Sequence, residues 1–177
     1  MIYLKKIKNF SEISVNERHK LQHETAVLML CEAVFSEYGI RLAKDCLSYT
    51  AKGKPYFKEF PNIHFSLAHS GEYAAAALSD RPCGIDIERI GKVNKRLIPR
   101  ICTEKEKIFL EQSENIQKSL TQLWTLKESY VKAIGEGIAF GLKNIEFNTE
   151  NGHISSNKEA AYSSFQFEDF IISYCEL

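Results

Sequence analysis

The segment "GIDIE" at residues 84–88 puts Asp86 and Glu88 two positions apart in what reads as a strand. Side chains alternate along a strand, so Ile85 and Ile87 are predicted to face a core while the two acids share the other face, roughly 7 Å apart. Two carboxylates on one face repel each other unless something positive joins them. A hard cation such as magnesium suits the pair, since it takes oxygen ligands, needs few carboxylates and completes its shell with waters and substrate phosphates. Gly84, just before, would let a bulky ligand approach the backbone. Taken alone, a D-x-E pair reads more simply as the solvated face of a strand.

Further along, "WTLKESYVK" carries Glu128 and Lys132 four residues apart, which stacks them on one face of a helix with Trp124 a turn earlier. That brings a third carboxylate and a cation into one motif. In isolation the same spacing is an ordinary helix ion pair worth a few tenths of a kcal/mol, and Trp124 reads as core. In "HFSLAHSG", His69 sits at a strand end beside Ser70 and Gly71, where an imidazole and backbone N–H groups could meet a phosphate; the plainer reading is a solvated turn histidine. In "GKPYF", Gly53 and Pro55 mark a turn, and the proline pushes Lys54 toward extended geometry, predicted to hold it out toward solvent. "GEGIAFG" follows a helix instead of opening one, so Gly135 reads as a helix stop and not as part of a phosphate-cradling loop. "TEKE" at 103–106 is a capping box, which explains Glu106 without a metal.

These groups need elements to hold them. Residues 2 to 7 read as a first strand and about 17 to 38 as a helix stopped at Gly39. Apolar stretches near Ile63–Leu67, Tyr73–Leu78 and Gly84–Ile87 read as a meander of antiparallel strands. After a polar, basic seam around Arg89–Arg100 come helices near Thr103–Gln112 and Leu120–Ile134, then strand-like runs "NIEFN" and "FQFEDFIISY". The second half thus repeats the order helix then strands, without a visible sequence repeat.

The 177 residues are 44% apolar, enough for one compact domain or two small halves packed together. Lys plus Arg and Asp plus Glu each number 23, so bulk charge gives no push toward nucleic acid or a membrane surface. Lysines interrupt the N-terminal stretch and Glu32 the most apolar run, so no signal peptide or membrane span is expected. Five scattered cysteines without a C-x-x-C pair point to a reduced, cytoplasmic protein.

In this order, "GKPYF", "FSLAHSG", "GIDIE" and "WTLKESYVKAIG" resemble the 4'-phosphopantetheinyl transferase superfamily, in particular its monomeric two-lobed (Sfp-type) class. The family pattern is G(I/V)D-x-E followed later by W-x-x-KE-x-x-x-K, and every defining position is present. The resemblance implies an α+β fold of two pseudo-symmetric lobes, each with helices packed on a small antiparallel sheet. The N-terminal lobe is expected at 1–92, with Asp86, Glu88 and the coenzyme A contacts, and the C-terminal lobe at 93–177. It also implies that Asp86, Glu88 and Glu128 hold magnesium and that Lys132 meets the coenzyme A pyrophosphate. His69 would contact the 3'-phosphate, and Lys54 would lie near the nucleotide. Two positions depart from the pattern: Ala68 stands where many relatives have serine, and Glu24 falls where the first long helix tends to carry an arginine, with Arg18, Lys20 and His23 nearby.

The implied reaction moves 4'-phosphopantetheine from coenzyme A to a serine of an apo acyl or peptidyl carrier protein. The serine hydroxyl attacks the β-phosphorus and 3',5'-ADP leaves, with Glu128 or a metal-bound water as the base. Basic residues between Arg89 and Lys107 suggest a docking face for an acidic carrier. Two other readings use the same residues: a magnesium-dependent phosphohydrolase of a nucleotide diphosphate, and a carrier-binding relative without catalysis.

Overall fold

The computed structural model describes residues 1–43, 45–149 and 152–177. The chain runs β1 (Ile2–Lys6), α1 (Val15–Tyr38), β2 (Leu47–Tyr49), β3 (Pro55–Phe57), β4 (His64–Ser70), β5 (Tyr73–Ser79) and β6 (Cys83–Arg89). It continues through α2 (Ile98–Ile101), α3 (Glu104–Gln112), α4 (Ile116–Ile134), β7 (Phe147–Asn148), β8 (Ser155–Ser156), β9 (Ala161–Phe167) and β10 (Phe170–Glu176).

The sheets show why the halves look alike. One has the order β1-β5-β4 and the other β6-β10-β9, all neighbours antiparallel. In each, a lone strand precedes a long helix, a small hairpin follows (β2-β3 or β7-β8), and a second hairpin returns its last strand to the centre. The long hairpins turn on two residues, with Gly71 at φ 53° in one and Glu168 at φ 51° in the other. The run "FQFEDFIISY" therefore contains a hairpin and is not one strand. The expected meander breaks after β5, because β6 pairs with β10 and opens the second sheet. The second sheet begins with β6 at Cys83, before the basic stretch. β4 and β6 still lie side by side, joined by serine hydroxyls: Ser66 Oγ accepts from the Ile85 N–H at 3.1 Å and Ser70 Oγ from the Arg89 N–H at 3.4 Å.

β5 reads "YAAAALS" without alternation because both its faces are covered. Ala74 and Ala76 pack under Ala26 and Met29 of α1, while Ala75 and Ala77 meet Ile85, Ile87 and Phe170. Alanine keeps both contacts close. α1 buries Ala26, Leu30, Ala33 and Val34 at helical spacing and ends at Gly39, φ 68°.

α4 lies across β6 and β10. Its outer side joins α2, α3 and Ile145 and Phe147 in an apolar cluster that includes Leu120, Leu123 and Leu126, with Trp124 packed against it. On the sheet side, Thr125 shares a 2.7 Å hydrogen bond with Ser173 of β10. Gly84 explains how near α4 comes: a Cβ there would sit 1.9 Å from the Ser129 carbonyl oxygen and 2.6 Å from the Ala133 nitrogen. The glycine admits a helix backbone, not a ligand as its position before the acids suggested.

The capping box at Thr103 forms as expected, but Glu106 does more than cap. Its Oε2 also accepts from the fully buried Lys127 at 2.7 Å, and its Oε1 accepts from the Phe147 N–H at 2.9 Å. Lys127 further donates to the carbonyls of Ile101, Leu142 and Ile145. A buried ammonium with four acceptors fixes α4 against the loops around it, and removing one partner of such a pair costs ~3–5 kcal/mol. Among the described residues no helix is long and apolar enough to cross a membrane.

Candidate active site

The alternation predicted for β6 holds. Ile85 and Ile87 are 0% and 2% exposed in the core between the sheets. The acid face is not solvated, because α4 covers it, and Asp86 is only 8% exposed. Lys132 reaches from α4 and donates to Asp86 Oδ1 at 2.7 Å and to the Ile85 carbonyl at 3.1 Å. Its ion pair is therefore with the strand, and the helix pair with Glu128 that the spacing suggested is not the one formed. Burial raises the Asp86 carboxyl above its ordinary range; Lys132 opposes this and the nearby Glu88 charge adds to it.

Glu88 turns toward β4. Its Oε1 accepts from the Ser70 hydroxyl at 2.5 Å and from the Arg89 N–H at 2.9 Å. Glu128 has a buried Oε1 with no hydrogen-bond partner. Burial raises its carboxyl too, the Asp86 charge raises it further, and Lys132 works against both. The structure thus gathers Asp86, Glu88, Glu128 and Lys132 where β6 meets α4. Among the described residues, however, no three acids, histidines or cysteines converge as a ready-made metal cage. The Asp86 charge acts on the Glu128 carboxyl and the Glu88 charge on that of Asp86, while Glu88 is engaged by Ser70.

Beside Glu128 and Lys132 opens a cavity of about 220 Å³, walled by Lys52, Lys54, Ser66 and Gly135 among others. Lys54 does not point into solvent. Gly53, at φ 84°, makes the predicted turn, but the lysine then lies along Gly135, and its Nζ donates to the Ala133 carbonyl at 2.5 Å. Gly135 ends α4 at φ 73°, and a Cβ there would meet Lys54 Cδ at 2.9 Å. Burial lowers the Lys54 ammonium below its ordinary range. At the far end of β4, His69 meets His19 of α1 edge to face, with ring centroids 5.0 Å apart. Burial, then the charges of His19, Lys132 and His23, push its imidazole down to about 4.

Three features escaped the sequence. His19 is one; its i, i+4 spacing to His23 was the available signal. The serines of β4 that tether β6 are a second, and the Lys127–Glu106 pair is a third, hidden because a capping box already accounted for Glu106. Of the basic stretch, Arg89 is committed to Glu72 and Asp169 and lies over Phe170, while Lys105 and Lys107 pair with Glu146 and Glu104. Lys92, Lys95, Arg96 and Arg100 are exposed.

Comparison of the sequence with known proteins points one way. The profile of the 4'-phosphopantetheinyl transferase superfamily matches residues 82–175. The 4'-phosphopantetheinyl transferase gsp of Aneurinibacillus migulanus is 38% identical over 133 residues, 71% of this chain and 55% of that protein. The 4'-phosphopantetheinyl transferase psf-1 of Bacillus pumilus is 27% identical over 148 residues, 80% of this chain and 64% of that one. Among solved structures, the holo-[acyl-carrier-protein] synthase of Thermotoga maritima superposes with a TM-score of 0.48 at 23% identity, covering 53% of this chain and 61% of that one. The chain thus spans between about half and two thirds of the length of these two curated relatives. The matched segment runs from the start of β6 through α4 to β10, and so contains the elements that bring Asp86, Lys132 and Glu128 together: the chain belongs to the 4'-phosphopantetheinyl transferase superfamily.

Proposed function

We propose that this protein transfers 4'-phosphopantetheine from coenzyme A to a serine of an apo acyl or peptidyl carrier protein, as a magnesium-dependent monomer of the cytoplasm. The products are holo carrier protein and 3',5'-ADP. The observation that carries the reading is the Lys132–Asp86 pair beside a Glu128 carboxylate with an unpartnered buried oxygen, at the edge of a cavity.

The donor set fits magnesium. Its atoms are all carboxylate oxygens, the Asp86 charge acts on Glu128, and the orphaned Glu128 Oε1 is a costly buried acceptor that a cation would satisfy. Glu88 would join them from the same face of β6. Bound there, magnesium would neutralise charge developing on the phosphoryl oxygens.

The remaining work falls to the chain. The carrier serine oxygen forms a bond to the β-phosphorus as the bond to the departing 3',5'-ADP oxygen breaks. Lys132, fixed by two acceptors on β6, stabilises the charge that gathers on that leaving phosphate. The serine proton goes to Glu128 or to water at the site, since a carboxylate that also held a cation would be a weaker base than its burial and Asp86 alone make it. Lys54 and His69 bind the nucleotide end, and the cavity walls orient the diphosphate for in-line attack.

Mass spectrometry of apo carrier proteins incubated with the protein, coenzyme A and magnesium tests this. The carrier mass should rise by one phosphopantetheine, and no gain on any acyl or peptidyl carrier would overturn the proposal. Consumption of coenzyme A without a carrier would point instead to a nucleotide-diphosphate hydrolase.

A further inference from the structure

Ser70 ends β4, and the turn after it is pinned from three sides. Gln22 of α1 donates to the Gly71 carbonyl at 2.6 Å, and a Cβ on Gly71 would meet the Arg89 guanidinium and the Phe170 ring, each at 3.1 Å. Arg89 is itself held by Glu72 and Asp169. Ser70 is buried, and its hydroxyl donates to Glu88 Oε1 at 2.5 Å while accepting from the Arg89 N–H at 3.4 Å. That N–H also donates to Glu88 Oε1, at 2.9 Å. One oxygen of Glu88 is thus taken twice, while among the described residues nothing donates a hydrogen bond to Oε2. Across the site, Lys132 takes Asp86 Oδ1. Neither acid of β6 can turn both oxygens to a cation without giving up a side-chain bond.

Given the magnesium site proposed above, we infer that Ser70 is a positioning residue that makes Glu88 a one-oxygen ligand, and that the site thereby selects magnesium over calcium. Magnesium demands near-octahedral geometry at about 2.0–2.1 Å and is served by single carboxylate oxygens, waters and phosphates. Calcium takes about six to eight oxygens at about 2.3–2.6 Å and readily accepts both from one carboxylate. With Oε1 held by Ser70, Glu88 presents an aimed Oε2 and cannot chelate. The hydroxyl does this as a neutral donor, so the carboxylate keeps the charge that attracts a divalent cation; a lysine or arginine in its place would cancel that charge. Loss of the hydroxyl leaves Oε1 with the Arg89 N–H alone, which frees the carboxylate to rotate and to offer both oxygens to the larger ion.

Manganese shares magnesium's taste for six oxygens and has a paramagnetic signal. Its displacement from the protein with coenzyme A, and without any carrier, yields the affinities for Mg2+ and Ca2+ in the absence of turnover. The native protein should bind Mg2+ more tightly than Ca2+. Ser70→Ala should lower the quotient of the two affinities about tenfold or more, the usual effect of removing a hydrogen bond to a metal ligand. Ser70→Cys, close to serine in shape but a weak donor, should lower it as well, and Ser70→Thr, which keeps the hydroxyl, should retain it. A native protein that binds Ca2+ as tightly as Mg2+, or an alanine or cysteine variant with the native quotient, would overturn the role of Ser70 and leave the magnesium site standing. A native protein that holds no Mn2+ beside coenzyme A would overturn both.

Discussion

Burial raises the Glu128 carboxyl above its ordinary range, and the Asp86 charge raises it further while Lys132 opposes both. The thermodynamic sign follows from which state binds protons more tightly. Here the folded state does, so ionised Glu128 weakens the fold at any pH above its folded pKa. That penalty shrinks as pH falls through the folded value and is gone below the unfolded value of about 4.3. Asp86 acts in the same sense. Glu128→Gln should therefore raise the melting temperature near pH 7.5, with the gain vanishing in acid, while transfer falls ~100-fold or more if Glu128 takes the serine proton. Thermal melts from pH 4 to 8 beside a transfer assay check both halves. A destabilised variant at neutral pH would mean that the ionised carboxylate does not weaken the fold, and near-native turnover would remove Glu128 from the role of base. The D-x-E spacing and the later glutamate were legible because each follows from the period of its element. That the acids lie under α4, and not in water, was not, because burial of a strand face depends on what packs on it.

At the scale of elements, the same limit explains Gly84. A glycine before two acids reads equally well as room for a ligand or room for a backbone, and only the course of α4 decides between them. Lys54 was misplaced for a related reason: the Gly-Pro turn was legible, but the end of α4 that receives the lysine lies far along the chain. Helices α1, α3 and α4, with their stops at Gly39 and Gly135 and the cap at Thr103, were readable because capping is local. The pairing of β6 with β10 was not, since nothing nearby in sequence marks it. Gly84→Ala tests the helix contact. Its methyl would meet the Ser129 carbonyl at 1.9 Å, and backbone cannot rotate aside as a side chain does. Overpacking of this kind costs ~1–3 kcal/mol or more, so the urea midpoint should drop accordingly. Transfer should fall as well, because α4 carries Lys132 and Glu128. An unchanged midpoint would mean that α4 does not approach β6 so closely.

For the whole molecule, the repeated order of strand, helix and hairpins sets two sheets side by side, with the candidate site on the first strand of the second. In the proposed reaction a carrier serine would have to reach that site from outside, so the surface nearby would matter to encounter. The stretch after β6 is basic, but its charges differ in availability. Arg89 is held by Glu72 and Asp169 and serves the fold, whereas Arg96 and Arg100 are exposed. With 23 basic and 23 acidic residues the protein has no long-range pull of its own, so steering of an acidic partner must come from such a local patch. Exposed rim charges act mainly on association rate and are screened by salt. Arg96→Glu with Arg100→Glu should accordingly raise the apparent KM for the carrier protein roughly tenfold at low salt, with little change in kcat or in the KM for coenzyme A. The difference should narrow as ionic strength rises. An unchanged carrier KM at low salt would place the docking face elsewhere, and a matching loss in kcat would mean that these arginines serve the fold, as Arg89 does.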